Sequence, residues 1–141
     1  MHFYERDEDL ADRVARFVGE GLRTGDAAII VATEAHRELF IDRLRAMNDD
    51  VDAARAAGRL TILDAGATLE KLMLGERADP ELFRRVAGSA IESLCTRWVR
   101  VRAFGEMVDV LWKRGNRAAA LALEELWSEL TGRYPLDVMC S

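Results

Sequence analysis

Ala27-Ala28-Ile29-Ile30-Val31-Ala32 is an unbroken apolar run, and it narrows the fold more than any other stretch of the chain. Successive side chains of a strand point to opposite faces, so a strand apolar at every position needs cover on both sides. Such strands sit inside parallel sheets with helices packed above and below. The run is far shorter than the roughly 20 apolar residues needed to cross a bilayer. No other segment of the 141 residues comes closer to that length.

Strand and helix patterns alternate around this run. Upstream, Phe3-Tyr4 reads as the end of a first strand, and Asp7 as the cap of a helix with Leu10, Val14, Phe17, Val18 and Leu22 on one face. Gly25 stops that helix. Downstream, Thr33 is placed as the cap of a second helix with Leu39, Phe40, Leu44 and Met47 inward, and a short helix from Val51 ends at Gly58. Leu60-Thr61-Ile62-Leu63-Asp64 reads as a third strand, and Thr68 to Leu74 as a short helix. Asp79-Pro80 pairs an N-cap side chain with a proline at the first helical position. Phe83, Val86, Ala87, Ala90, Ile91 and Leu94 line the buried face that follows. A fourth strand is expected at Val99 to Phe104, with Gly105 opening a helix through Trp112. Gly115-Asn116 separates it from a long helix over Arg117 to Leu130, and Pro135 to Cys140 forms the last strand. The expected architecture is one α/β domain over residues 1–141: an open, mostly parallel five-stranded sheet with helices on both faces. A chain that stops as its last strand ends reads as a module of a longer protein.

Composition excludes several classes. Half of the residues are hydrophobic and 32% charged, which is globular rather than disordered. The net charge of −5, with arginines scattered among acids, argues against a nucleic-acid surface, which needs a basic stripe to displace counterions. Cys95 and Cys140 form no C-x-x-C pair, and the acidic opening lacks a signal sequence. Both features suit reduced thiols in the cytoplasm, without a zinc site or a membrane anchor.

Open α/β sheets bind ligands beyond the C-terminal ends of their strands. On the expected strands those ends bring Tyr4 and Glu5, Thr33 and His36, Asp64, and Gly105, Glu106 and Asp109 into view. Tyr4, Thr33, His36, Asp64, Glu106 and Asp109 form the candidate ligand-binding set. Their mixture of phenol, imidazole and carboxylates suits a polar pocket and has no catalytic order. No catalytic residue, cofactor or resident metal is therefore assigned. Glu106, Asp109 and Asp64 have the chemistry of a divalent-metal site, but Glu106 and Asp109 are read as complementing a helix N-terminus. His36 is read as a surface or capping histidine, with metal ligation or pH sensing as the alternative. Trp112 and Trp127 read as core, with an aromatic ligand wall as the alternative.

A phosphate-binding loop needs glycines followed by a lysine. The segment after the expected first strand, Tyr4-Glu5-Arg6-Asp7-Glu8-Asp9, has no glycine and is rich in carboxylates. The only lysines are Lys71 and Lys113, and neither follows a glycine turn.

Several segments in order resemble one family. They are His2-Phe3-Tyr4-Glu5, Gly21-Leu22-Arg23-Thr24-Gly25-Asp26, Ala32-Thr33-Glu34-Ala35-His36-Arg37, Asp64-Ala65, Asp79-Pro80-Glu81-Leu82-Phe83, Gly115-Asn116 and, most specifically, Phe104-Gly105-Glu106-Met107-Val108-Asp109. Together they resemble the MEDS domain, the sensory domain named after methanogens, methylotrophs and a dichloromethane-responsive repressor. The resemblance implies a RecA/KaiC-like core without the nucleotide-binding loop. It also implies sensing of small organic compounds on behalf of a histidine-kinase or DNA-binding module. The expected function is thus a non-catalytic small-molecule sensor in prokaryotic signal transduction, with homodimerisation through the C-terminal helix as an additional expectation. The alternatives are a degenerate RecA-like nucleotide-binding domain and a ligand-free interaction or dimerisation module.

Overall fold

The computed structural model describes residues 2–47 and 49–140, with side chains from residue 6. In chain order, α1 (His2–Arg23) leads to β1 (Ala27–Ala32), α2 (Glu34–Ala46), α3 (Val51–Ala56), β2 (Leu60–Asp64) and α4 (Ala65–Leu72). A small hairpin of β3 (Met73–Leu74) and β4 (Arg77–Ala78) follows. Next come α5 (Pro80–Phe83), a π-helical turn over Arg84–Gly88 and α6 (Ser89–Arg97), which form one continuous helix. The chain ends with β5 (Val101–Gly105), α7 (Met107–Lys113), α8 (Arg117–Arg133) and β6 (Leu136–Cys140).

The apolar run sits where its composition requires. β1 is buried at every position and pairs in parallel with β2 on one side and β5 on the other. β6 adds in parallel beyond β5, giving the order β2-β1-β5-β6. Alternation divides the strand between two cores. Ala27, Ile29 and Val31 pack with α4, α6, α7 and α8, whereas Ala28, Ile30 and Ala32 pack with α1, α2 and α3. Fully burying each of the larger β1 side chains is worth about 1.5–3 kcal/mol, which makes the three-layer arrangement the stable home for this segment.

Several expectations are corrected. The main sheet has four strands, not five, and all are parallel. Phe3-Tyr4 lies in the first turn of α1, because a two-residue apolar pair continues as readily into the amphipathic helix that follows as into a strand. Asp7, expected as a cap, therefore lies inside α1. Thr33 does occupy the N-cap position of α2, but its side chain makes no capping hydrogen bond. The helix expected over Thr68 to Leu74 starts earlier, at Ala65, where the Asp64 carboxylate accepts from the Ala67 N–H at 2.8 Å. It yields to the hairpin at Met73.

Other local signals act as expected. Gly25 after α1 and Gly115 between α7 and α8 take φ of +91° and +78°, which side chains with a Cβ disfavour. Asp79 caps α5 by accepting from the Leu82 N–H at 2.9 Å, with Pro80 beside it. No helix among the described residues is long and apolar enough to cross a membrane.

Candidate functional site

The chain leaves β1 toward β2 on one side and later returns to β5 on the other. The strand order thus reverses between the C-terminal ends of β1 and β5, where open α/β sheets form a crevice. Thr33 follows β1 and Glu106 follows β5, so the topology brings them face to face. The Glu106 N–H donates to the Val31 carbonyl at 2.9 Å, one further rung of the β1–β5 ladder. The Thr33 N–H then donates to Glu106 Oε1 at 2.9 Å. A side-chain carboxylate takes the acceptor position where the backbone pairing ends.

Glu106 is only 1% exposed and is one of two buried polar residues among those described, the other being Thr68. A buried carboxylate is costly unless paired. Its side-chain partner is His36, in the first turn of α2, whose Nδ1 lies 2.5 Å from Glu106 Oε2. The other ring nitrogen, Nε2, lies 3.0 Å from Asp7 Oδ1 on α1. The ring rests near Phe40, centroids 5.6 Å apart, and Phe40 meets Phe104 edge-on beneath it. Burial alone would lower the His36 pKa. The hydrogen bonds and charges of Glu106 and Asp7 outweigh burial and raise it above 6.5.

Above this chain lies an open cleft of about 440 Å³ between α1 and α7. Arg6, Leu10 and Arg13 of α1 line one wall, Asp109 and Lys113 of α7 the other, with His36 and Asp7 between them. Asp109 holds Lys113 at 2.9 Å one turn on, and that bond raises the lysine pKa. A larger groove of about 630 Å³ runs between Arg84 and α8. Its polar side chains are all exposed and it lies away from the strand ends, so the smaller cleft has the stronger chemical claim.

The MEDS description, methanogen/methylotroph, DcmR sensory domain, matches residues 1–141. The chain belongs to the MEDS family. No curated protein and no solved structure matches it.

Within this MEDS domain the expected site residues separate into groups. Thr33 and His36 each meet Glu106, and His36 and Asp109 line the cleft above. His36 is neither a capping nor a freely exposed residue. Glu106 sits at the N-cap position of α7 and Asp109 in its first turn, as expected, but the Glu106 carboxylate turns to Thr33 and His36 and makes no capping hydrogen bond. Asp64 is engaged elsewhere, capping α4 and accepting from Arg37 at 3.1 Å. The Tyr4 and Glu5 side chains lie outside the described residues. Gly105 is the buried last residue of β5. Trp127 is core, edge-on to Phe83, whereas Trp112 is partly exposed with Arg117 over its ring. No three His, Cys, Asp or Glu among the described residues cluster as a metal site would require.

The residues missed from sequence are those of α1. Arg6, Leu10 and Arg13 follow helical spacing and share the cleft-facing stripe. The misplaced first strand hid that signal. Asp7 was read only as a helix cap, because the helix was taken to start after it.

Proposed function

We propose that this MEDS domain is a non-catalytic sensor of small organic molecules, which bind in the cleft between α1 and α7. One observation carries the reading: a buried carboxylate, Glu106, is joined through His36 to Asp7 at the strand-order reversal, directly under that cleft. Convergent polar groups beneath a concave surface are the usual form of a small-molecule site. His36 and Asp109 face the ligand, with Leu10 as its apolar contact, and Glu106 and Thr33 stand behind His36 and hold it in place. The family's sensory description supports the role. The kinship with RecA-type domains is part of the proposal, supported by the parallel three-layer sheet. The β1–α2 junction, Ala32-Thr33-Glu34-Ala35-His36, has neither glycine nor lysine to hold a nucleotide's phosphates.

A ligand shifts an equilibrium only through different contacts in the two states. Here those contacts bridge α1 and α7, and α7 packs on α8. The output passes to a histidine-kinase or DNA-binding module, in the same chain or a partner. Exposed Trp112 and Leu121, on α7 and α8, favour a second copy as one further contact.

Native mass spectrometry of freshly purified protein, offered a panel of short-chain alcohols, amines, carboxylates and haloalkanes, tests the reading. A stoichiometric adduct that disappears in Glu106→Gln is expected. Absence of any adduct, or an adduct indifferent to Glu106→Gln, overturns it.

A further inference from the structure

We infer that Asp7, His36 and Glu106 form a proton-operated clasp, which holds α1 against the end of the sheet when the imidazole is charged and releases it when the imidazole is neutral. The clasp needs no occupant in the cleft to operate.

The argument is one of hydrogen-bond inventory. A neutral imidazole has one N–H and one lone pair, and an ionised carboxylate can only accept. Both ring nitrogens of His36 sit within hydrogen-bond reach of carboxylate oxygens, at 2.5 Å from Glu106 and 3.0 Å from Asp7. With both carboxylates ionised, the two contacts are satisfied together only by the imidazolium. Its raised pKa agrees with that geometry.

Deprotonation must forfeit one contact, and burial decides which. The Glu106 side chain is 2% exposed, so losing its partner would strand a buried charge. The Asp7 side chain is 47% exposed, and water can replace the imidazole there. The remaining proton therefore stays on Nδ1. The Nε2 lone pair then faces Asp7 Oδ1, acceptor against acceptor, and the cleft-facing turn of α1 loosens. Arg43, which reaches both Glu8 and Asp12, keeps the rest of α1 on α2. The motion is thus local to the cleft wall.

The surroundings do not reverse this. From α1, Arg6 and Arg13 line the cleft; from α7, Lys113 is already held by Asp109; from β6, Cys140 has a thiol pKa raised by burial. The cations oppose protonation, but Asp7 and Glu106 are the groups within bonding reach.

The sign follows. With a folded pKa raised above 6.5, the clasp's contribution to stability is fully present well below 6.5 and is lost as pH rises through the folded value. The chain has only two histidines, so His2→Gln leaves His36 as its single imidazole signal. In that variant, nitrogen-15 NMR should show the doubly protonated ring as the majority form at pH 6.5 and a midpoint above it. Amide exchange of residues 6–13, divided by the intrinsic rate at each pH, should lose about tenfold in protection across that midpoint, the worth of one charge-assisted hydrogen bond. Asp7→Asn, at a half-exposed position that tolerates the change, should lower the midpoint and flatten the protection profile. A His36 midpoint at or below 6.5, pH-invariant protection of α1, or wild-type behaviour of Asp7→Asn would each overturn the clasp.

Discussion

At the scale of single residues, the molecule is organised by a few polar side chains that finish what the backbone begins. Glu106 extends the β1–β5 pairing with its carboxylate. On the opposite edge of β5's length, Arg102 does a related job. Its guanidinium donates to the Phe17 carbonyl at 2.8 Å and stands near Asp26 and Glu20, fastening α1 to the sheet. Gly21 makes room for it, since a Cβ there would meet Arg102 Cδ at 2.6 Å. Gly21→Ala is therefore expected to displace Arg102 and destabilise the domain by about 1–3 kcal/mol, the usual cost of overpacking, as read by urea denaturation. An unchanged midpoint would mean that the arginine stem moves aside without loss. None of this was legible in the chain order, because Arg102 and Gly21 lie far apart in sequence and their contact leaves no local signal. Glu106 and His36 were named from sequence only because strand ends are where such sheets bind ligands. Their contact spans 70 residues and has no local signal.

Among the elements, legibility tracked how many independent signals agreed. β1 was read to its last residue because six apolar positions admit only one environment. Asp79-Pro80 marked the start of α5 because the cap and the proline point the same way. Asp79→Ala should cost about 1 kcal/mol, the typical worth of an N-cap, measured as a lower unfolding midpoint. No shift would show that the helix start is held by Phe83 packing alone. The π-helical turn at Arg84–Gly88 escaped detection: it inserts one residue into the turn, so Ala87 and Gly88 are both buried while Val86 is not. A periodicity of 3.6 cannot report such an insertion. The first strand failed for the opposite reason. Phe3-Tyr4 carried one weak signal, and the longer amphipathic stripe of α1 absorbed it.

Taken whole, the domain is a four-stranded parallel sheet between two helical layers, and each layer supplies one wall of the cleft. α1 belongs to the layer that also contains α2 and α3, α7 to the layer with α4, α6 and α8. The sheet alone lies between the two cores, so the strand ends are where they meet. A ligand spanning α1 and α7 is thus in contact with both layers, which is the placement a sensor needs to turn occupancy into a change of packing. The measurement that tests this most directly is a two-dimensional NMR titration with short-chain alcohols, amines, carboxylates and haloalkanes, following every backbone amide. The account predicts saturable shifts from at least one compound, centred on Leu10, Thr33, His36, Glu106 and Asp109 and abolished by Glu106→Gln. Shifts gathered instead along the groove between Arg84 and α8, or none anywhere, would contradict it.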